Sequence, residues 1–332
     1  MEYNDHPLIS VQDLKIYFQG DFETARAVDG VSFEVRPEEM VCLVGESGCG
    51  KTVTALSLLG LISIPPGRIG GGKILFKGEN LLDLSESDFQ KIRGNHIAMV
   101  FQEPLTSLNP VFTIEDQIGE AIKIHKHIDG EPLRERCIQL LQDVGIPSAA
   151  DRLNDYPHQL SGGQRQRVMI AMALACDPEL IIADEPTTAL DVTVQAQILL
   201  LFRSLQKKRA MSVLYITHDL GVVANIAHRV YVMYAGVIVE HGKTGHIFGK
   251  AQHPYTQGLL ASLPIRSKRG KRLYSIPGSV PNPALKPTGC PFHPRCPYAI
   301  EHCRSQFPEL CDYGDGHLAR CPVLFRHKQE TG

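Results

Sequence analysis

Val41-Cys42-Leu43-Val44-Gly45-Glu46-Ser47-Gly48-Cys49-Gly50-Lys51-Thr52 is an apolar run that breaks into a glycine-rich turn and ends on a lysine and a hydroxyl. From Gly45 onward it matches the spacing G-x-x-x-x-G-K-[ST], and residues 53–61 behind it read as a helix. A strand that turns through glycines into a helix wraps backbone N–H groups around a phosphate, and the helix start favours negative charge. Gly45, Ser47, Gly48, Cys49 and Gly50 are therefore candidate phosphate contacts. Lys51 is the candidate partner of the β- and γ-phosphates, and Thr52 a candidate Mg²⁺ ligand. Cys49 reads as a small residue tolerated by the loop rather than as a redox sensor.

Further short β-rich runs occur at 97–101, 180–183, 213–216 and 230–233, with helical stretches between them. After Asp191, the residues Ile198, Leu201, Phe202 and Leu205 recur at helical spacing. Such alternation predicts an α/β fold with a mainly parallel core sheet. Residues 114–124 and 133–144 carry the helical pattern inside a predicted helical subdomain at about 113–165. Past Pro264 a basic run at 266–272 gives way to many prolines and glycines. The expected organisation is one large domain over 7–250 and a small, irregular appendage over 251–332.

The run Leu180-Ile181-Ile182-Ala183-Asp184-Glu185-Pro186 is a buried strand ending in two acids. An acidic turn after a strand is common by itself. Behind a phosphate loop it reads as Asp184 holding Mg²⁺ and Glu185 polarising the attacking water.

Leu160-Ser161-Gly162-Gly163-Gln164 closely resembles the signature of ABC transporter ATPases. The resemblance implies a P-loop NTPase fold with a parallel core sheet, an antiparallel β part and a helical subdomain. It extends in order along the chain. Gln102 is similar to the family's Q-loop glutamine, a Mg²⁺ ligand and catalytic residue; Ala189-Leu190-Asp191 is similar to its D-loop, and His218 to its switch histidine. Phe18, or Tyr17, falls where the family stacks an aromatic ring on adenine. Glu38 departs from the family, which often has glycine there, at no expected functional cost. In this family Ser161, Gly162, Gly163 and Gln164 grip the γ-phosphate of a nucleotide held by an opposing ATPase domain, so ATP joins two domains and hydrolysis releases them.

Of the nine cysteines, Cys290, Cys296, Cys303, Cys311 and Cys321 crowd the last part of the chain. A segment poor in core residues needs a staple. Four thiolates fit an iron–sulfur cluster. They also fit zinc, although structural zinc sites usually offer a tight C-x₂₋₄-C pair, which this spacing lacks. The segment resembles the appendage of the dipeptide and oligopeptide importer branch, whose four cysteines hold a [4Fe–4S] cluster. That resemblance implies Cys290, Cys296, Cys303 and Cys321 as ligands and favours Cys321 over Cys311, which spacing alone does not decide. His293 and His302 read as loop histidines. The same branch is resembled at Thr106-Ser107-Leu108-Asn109-Pro110, Tyr156-Pro157-His158-Gln159 and His253-Pro254-Tyr255-Thr256.

The composition, 43% hydrophobic and 21% charged with a net charge of -2, is that of a globular protein without a general pull toward nucleic acid. The longest apolar run, 168–176, reaches about half of the roughly 20 residues a membrane helix needs. Residues 1–6 do not resemble a signal peptide. The expected location is the cytoplasmic face of the inner membrane, reached through partners. The resemblance implies ATP and Mg²⁺, a second and different ATPase subunit, two transmembrane permease subunits and an extracytoplasmic peptide-binding protein. Residues 102–125 are the expected face toward the permease. The function so implied is ATP hydrolysis powering peptide uptake, with nickel, glutathione or oligosaccharide as the alternative cargo. An ABC-type ATPase acting on DNA or ribosomes usually carries coiled-coil insertions or two ATPase domains, and neither pattern occurs here. A redox protein would need a second redox motif, and the basic run at 266–272 reads as a solvated linker before it reads as a lipid contact.

Overall fold

The computed structural model describes residues 6–20, 22–103, 107–188, 190–263 and 274–324. Residues 1–5, Thr106 of the 106–110 motif, Ala189 and the basic run at 266–272 lie outside the described residues. The described chain forms two compact units, one of residues 35–40 and 83–215, the other of residues 6–34, 41–82 and 216 onward.

In the first unit, β6 (Ile97–Val100) runs parallel to β7 (Leu180–Asp184), with Ile97 opposite Leu180 and Val100 opposite Ala183. β8 (Ser212–Thr217) lies on the other side of β7. Every residue of β7 and β8 is buried, as expected for parallel strands covered on both faces. Within 113–165 lie the helices Ile114–Lys126, Gly130–Asp143 and Ala149–Arg152, and the first two pack on each other and on the helix Gly162–Ala173, which begins in that region and runs past it. Ile114, Ile118 and Ile122 face this packing from the first helix, and Leu133, Cys137, Leu140 and Leu141 from the second. Thr113 and Asp116 start the first helix with a reciprocal capping box.

In the second unit, β1 (Ile9–Gln19), β2 (Thr24–Val35), β4 (Gly67–Phe76) and β5 (Glu79–Asn80) make a sheet in the order β2-β1-β4-β5. β4 runs antiparallel to both β1 and β5. A second group begins with β3 (Met40–Val44), parallel to β9 (Arg229–Tyr234). β9 turns back into antiparallel β10 (Val237–Lys243) through Ala235 and Gly236, both at positive φ, the conformation of a tight hairpin.

Strand positions agree with the expectations to within about a residue, while two features differ. The helix expected at 53–61 spans Lys51–Leu58 and stops before Gly60, whose φ of 62° ends it. The C-terminal segment also contributes strand: β12 (Leu318–Ala319) pairs with β10, and β11 (Cys311–Asp312) pairs with β12. Strands this short leave no periodicity in sequence. Among the described residues no helix is long and apolar enough to cross a membrane.

Candidate functional site

The phosphate loop follows β3 in the second unit. Gly45 is required by close approach, since a Cβ there would lie 2.2 Å from the Met233 carbonyl oxygen. Gly50 has φ 108° and ends the loop as the N-cap of Lys51–Leu58. Lys51 is 5% exposed, and its Nζ donates to the carbonyls of Gly45 at 2.9 Å and Glu46 at 3.1 Å. Its ammonium is thus held on the inner side of the loop, where phosphate oxygens are stronger acceptors. Burial raises the Cys49 thiol above its ordinary value, more than the Lys51 charge lowers it, so Cys49 is an inert filler. Thr52 is exposed at the helix start.

Loop curvature is fixed by residues beyond the motif. The Glu46 N–H donates to Tyr255 Oη at 2.8 Å, and the Glu46 carboxylate takes two hydrogen bonds from Arg295, at 2.7 and 3.0 Å. Tyr255 belongs to the 253–256 motif, but its role is invisible in sequence. Arg295 carries no sequence signal at all.

Phe18 lies half-buried on β1 opposite Gly67. The Tyr17 hydroxyl is committed to Asp29 Oδ1 at 2.8 Å, and the Arg68 guanidinium lies over the Tyr17 ring. His218 is exposed, just before the helix Leu220–Ile226 that Asp219 caps.

In the first unit, Asp184 ends β7 and is 2% exposed. Glu185 follows at φ 45°, a left-handed conformation that costs a non-glycine residue on the order of 1 kcal/mol. Ser161 caps the helix Gly162–Ala173: its Oγ accepts from the Gln164 N–H at 3.3 Å, while Gln164 Oε1 accepts from the Ser161 N–H at 2.9 Å. The capping box leaves the amides of Gly162 and Gly163 without an intrahelical acceptor. Asp191 Oδ1 caps the helix Val192–Lys208 by accepting from Thr193 and Val194. A concavity of about 480 Å³ brings Ser161, Gly162, Gly163 and Gln164 together with Leu190 and Asp191. Gln102, exposed beyond β6, does not line it.

Glu38, the departure from family pattern, sits at φ 56°, which explains why glycine suits that turn. Gln117, which the sequence did not single out, staples the loop before its helix. Its side chain accepts from Asn109 N–H at 2.9 Å and donates to the carbonyls of Asn109 and Phe112. Val111 and Phe112 in that loop are 72% and 51% exposed.

In the appendage, Cys290, Cys296, Cys303 and Cys321 line one small cavity, together with His293 and His302. Cys311 does not line it; it pairs across β11 with Ala319. Burial pushes the Cys290 thiol up to about 11 and the Cys321 thiol to about 12. Neighbouring backbone amides oppose that rise only in part, those of Phe292 and His293 for Cys290 and those of Val323 and Leu324 for Cys321. Among the described residues no three His, Cys, Asp or Glu side chains converge closely enough to hold a single metal ion.

A phosphate loop after a parallel strand, an acid pair ending another, and a serine-capped glycine turn define an ATPase of the ABC class. The family described as "ABC transporter" matches residues 28–188, and "Oligopeptide/dipeptide transporter, C-terminal region" matches 239–303. The dipeptide transport ATP-binding protein DppD of Escherichia coli is 50% identical over 314 residues, 95% of this chain and 96% of that protein. The oligopeptide transport ATP-binding protein AppD of Bacillus subtilis is 49% identical over 314 residues, again 95% of this chain and 96% of that protein. A dimeric ATP-binding cassette in a post-hydrolysis state, bound to ADP and Pi, superposes with a TM-score of 0.64 at 27% identity, covering 71% of this chain and 98% of that one. This chain belongs to the ABC transporter ATP-binding proteins, in their dipeptide/oligopeptide branch.

Proposed function

We propose that this chain is the ATP-binding and ATP-hydrolysing subunit of a peptide importer, working from the cytoplasmic face of the membrane. The observation that carries the reading is the pairing of a fully formed phosphate loop, with Lys51 turned inward, and a C-terminal segment matching the peptide-transporter family. By the family's pattern Thr52, Gln102 and Asp184 are the oxygen donors that would hold Mg²⁺, which would neutralise the phosphate oxygens as charge builds. The amides from Gly45 to Gly50 and the Lys51 ammonium bind the β- and γ-phosphates, and Phe18 stacks on the adenine. Glu185 accepts a proton from the attacking water, His218 holds the γ-phosphate end, and ADP and phosphate leave.

Ser161, Gly162, Gly163 and Gln164 serve the nucleotide of an opposing ATPase subunit, with Asp191 beside them. The dimeric, ADP- and Pi-bound cassette with a related fold supports this arrangement. The assembly pairs this chain with a different ATPase subunit, two permease subunits and an extracytoplasmic peptide-binding protein. The exposed Val111 and Phe112, in a loop held rigid by Gln117, form the face toward the permease within 102–125.

For the cysteines, a [4Fe–4S] cluster held by Cys290, Cys296, Cys303 and Cys321 is the reading we adopt. Four thiols around one cavity match the donor chemistry of a cluster. Such a group supplies a covalent staple to a segment with little core.

The decisive experiment reconstitutes the chain with its permease, partner ATPase and binding protein in liposomes and measures ATP-driven uptake. Uptake of di- and oligopeptides, lost with Glu185→Gln, is the expected result. Uptake of nickel, glutathione or an oligosaccharide instead would reassign the cargo, and absence of ATP-driven uptake of any of these would overturn the reading.

A further inference from the structure

Between Cys290 and Cys296 the chain makes a single 3₁₀ turn, His293–Arg295. The two cysteines line the cavity, whereas Arg295 reaches the phosphate loop. Its side chain is 5% exposed and all its donors are committed. Nε donates to the Pro277 carbonyl at 2.8 Å; Nη1 to Glu46 Oε2 at 2.7 Å and Tyr234 Oη at 3.3 Å; Nη2 to Glu46 Oε1 at 3.0 Å and the Ile276 carbonyl at 3.5 Å. The guanidinium also lies 5.7 Å from the Tyr234 ring centroid and 5.9 Å from that of Phe292. This is a planar fork set bidentately on a carboxylate, the geometry in which arginine is not replaceable by a point charge.

The recipient residue is unusually constrained. Glu46 gives its N–H to Tyr255 Oη, its carboxylate to Arg295 and its carbonyl to Lys51 Nζ. Tyr255 is itself packed against Tyr234 and Phe292, with ring centroids 4.6 and 5.4 Å away. So the second residue of the phosphate loop is held from behind by appendage residues. An amide crown binds phosphate well only if its curvature is set before the ligand arrives.

We propose that Arg295 is a positioning residue for the ATPase, fixing the phosphate loop through Glu46 so that the cysteine-bearing appendage is a working part of the nucleotide site. The proposal rests on the phosphate-loop reading above and extends it to a residue outside every ATPase motif. Arg295 acts on binding of the phosphates as such, in ground state and transition state alike, so its loss shows in KM and not in kcat.

The test measures ATP hydrolysis in the assembled transporter for Arg295→Met, Arg295→Lys, Glu46→Gln and the double variant Glu46→Gln/Arg295→Met. Arg295→Met is expected to raise KM for ATP by about tenfold with kcat within about threefold, Arg295→Lys to fall between it and wild type, and the double variant to be no worse than the poorer single. Unchanged KM in Arg295→Met, or single effects that multiply in the double variant, would overturn the proposal. Should Arg295→Met fail to fold, Glu46→Gln alters only the loop side and carries the same expected rise in KM; its absence overturns the proposal equally. Lys51→Ala separates the two readings: retention of wild-type ATP affinity there would sink the phosphate-loop reading itself, while a normal Arg295→Met beside a defective Lys51→Ala sinks only the present inference.

Discussion

The Thr188 hydroxyl donates to Glu185 Oε2 at 3.0 Å, across a turn in which Glu185 holds a left-handed φ of 45°. Strained backbone that persists at the end of a buried strand is typical of residues aimed at a reaction. Glu185→Gln keeps the shape and removes the proton acceptor. Its expected effect is a fall in turnover of about 10²–10⁴, with ATP affinity retained. Steady-state hydrolysis and nucleotide binding check it. Thr188→Val, which removes only the orienting donor, should give a smaller loss of kcat at unchanged KM.

A Cβ on Gly163 would lie 2.9 Å from Val194 Cγ1, in the helix that Asp191 caps. The β-branched valine has few rotamers with which to give way. Gly163→Val should therefore displace the glycine turn from Asp191 and weaken ATP-dependent subunit pairing by an order of magnitude or more. ATP binding to this chain's own phosphate loop should stay within about twofold. Light scattering of subunits carrying Glu185→Gln measures the pairing. Gly163→Val with Val194→Ala should recover most of it, and failure to recover would point away from the steric cause.

Sequence reaches the residues that touch nucleotide more fully than those that support them. The phosphate loop, the acid pair and the serine-capped turn are local, each carried by consecutive residues: spacing marks the first, the second takes its meaning from the first, and the third is legible through its resemblance to the ABC signature. Even there, the capping box between Ser161 and Gln164 follows from the S-x-x-Q pattern. What escapes sequence is the second layer. Glu46 and Arg295 are 249 residues apart, and nothing in either neighbourhood anticipates their pairing. Gln117 looks like an ordinary helix-face glutamine until its amide is seen stapling Asn109 and Phe112. β11 and β12 are too short for any pattern. Glu38 and Glu185 sit at positive φ because tertiary packing overrides local preference.

The cysteine cavity separates Cys321 from Cys311 in a way that metal analysis can read. Cys321→Ser and Cys303→Ser should lower iron and acid-labile sulfide in the purified protein to less than about half of wild type. Cys311→Ser should leave both near wild type, because Cys311 belongs to the β11–β12 pair and not to the cavity wall. Stoichiometric zinc without iron or sulfide in the wild-type protein would reject the cluster.

Acid sensitivity should centre on His253. It is 1% exposed, and burial pulls its pKa down to about 4, the nearby Glu240 carboxylate opposing only in part. Its Nδ1 accepts the Tyr255 N–H at 3.1 Å, which an imidazolium cannot do. An unfolded histidine titrates near 6.5. Between pH 6.5 and 4 the unfolded chain therefore binds a proton that the folded chain refuses. The contribution of the neutral ring is intact above about pH 6.5 and is lost progressively as pH falls toward 4, reaching on the order of 2–3 kcal/mol. His253→Asn preserves a side chain suited to capping the helix Pro254–Ala261 but does not titrate. Urea denaturation of both proteins across this window isolates the term from the carboxylates, which the two share. The expected outcome is a flatter fall in stability for His253→Asn, with the slopes differing by up to about 1.4 kcal/mol per pH unit; identical slopes would mean that His253 is protonated in the folded protein as readily as in the unfolded one.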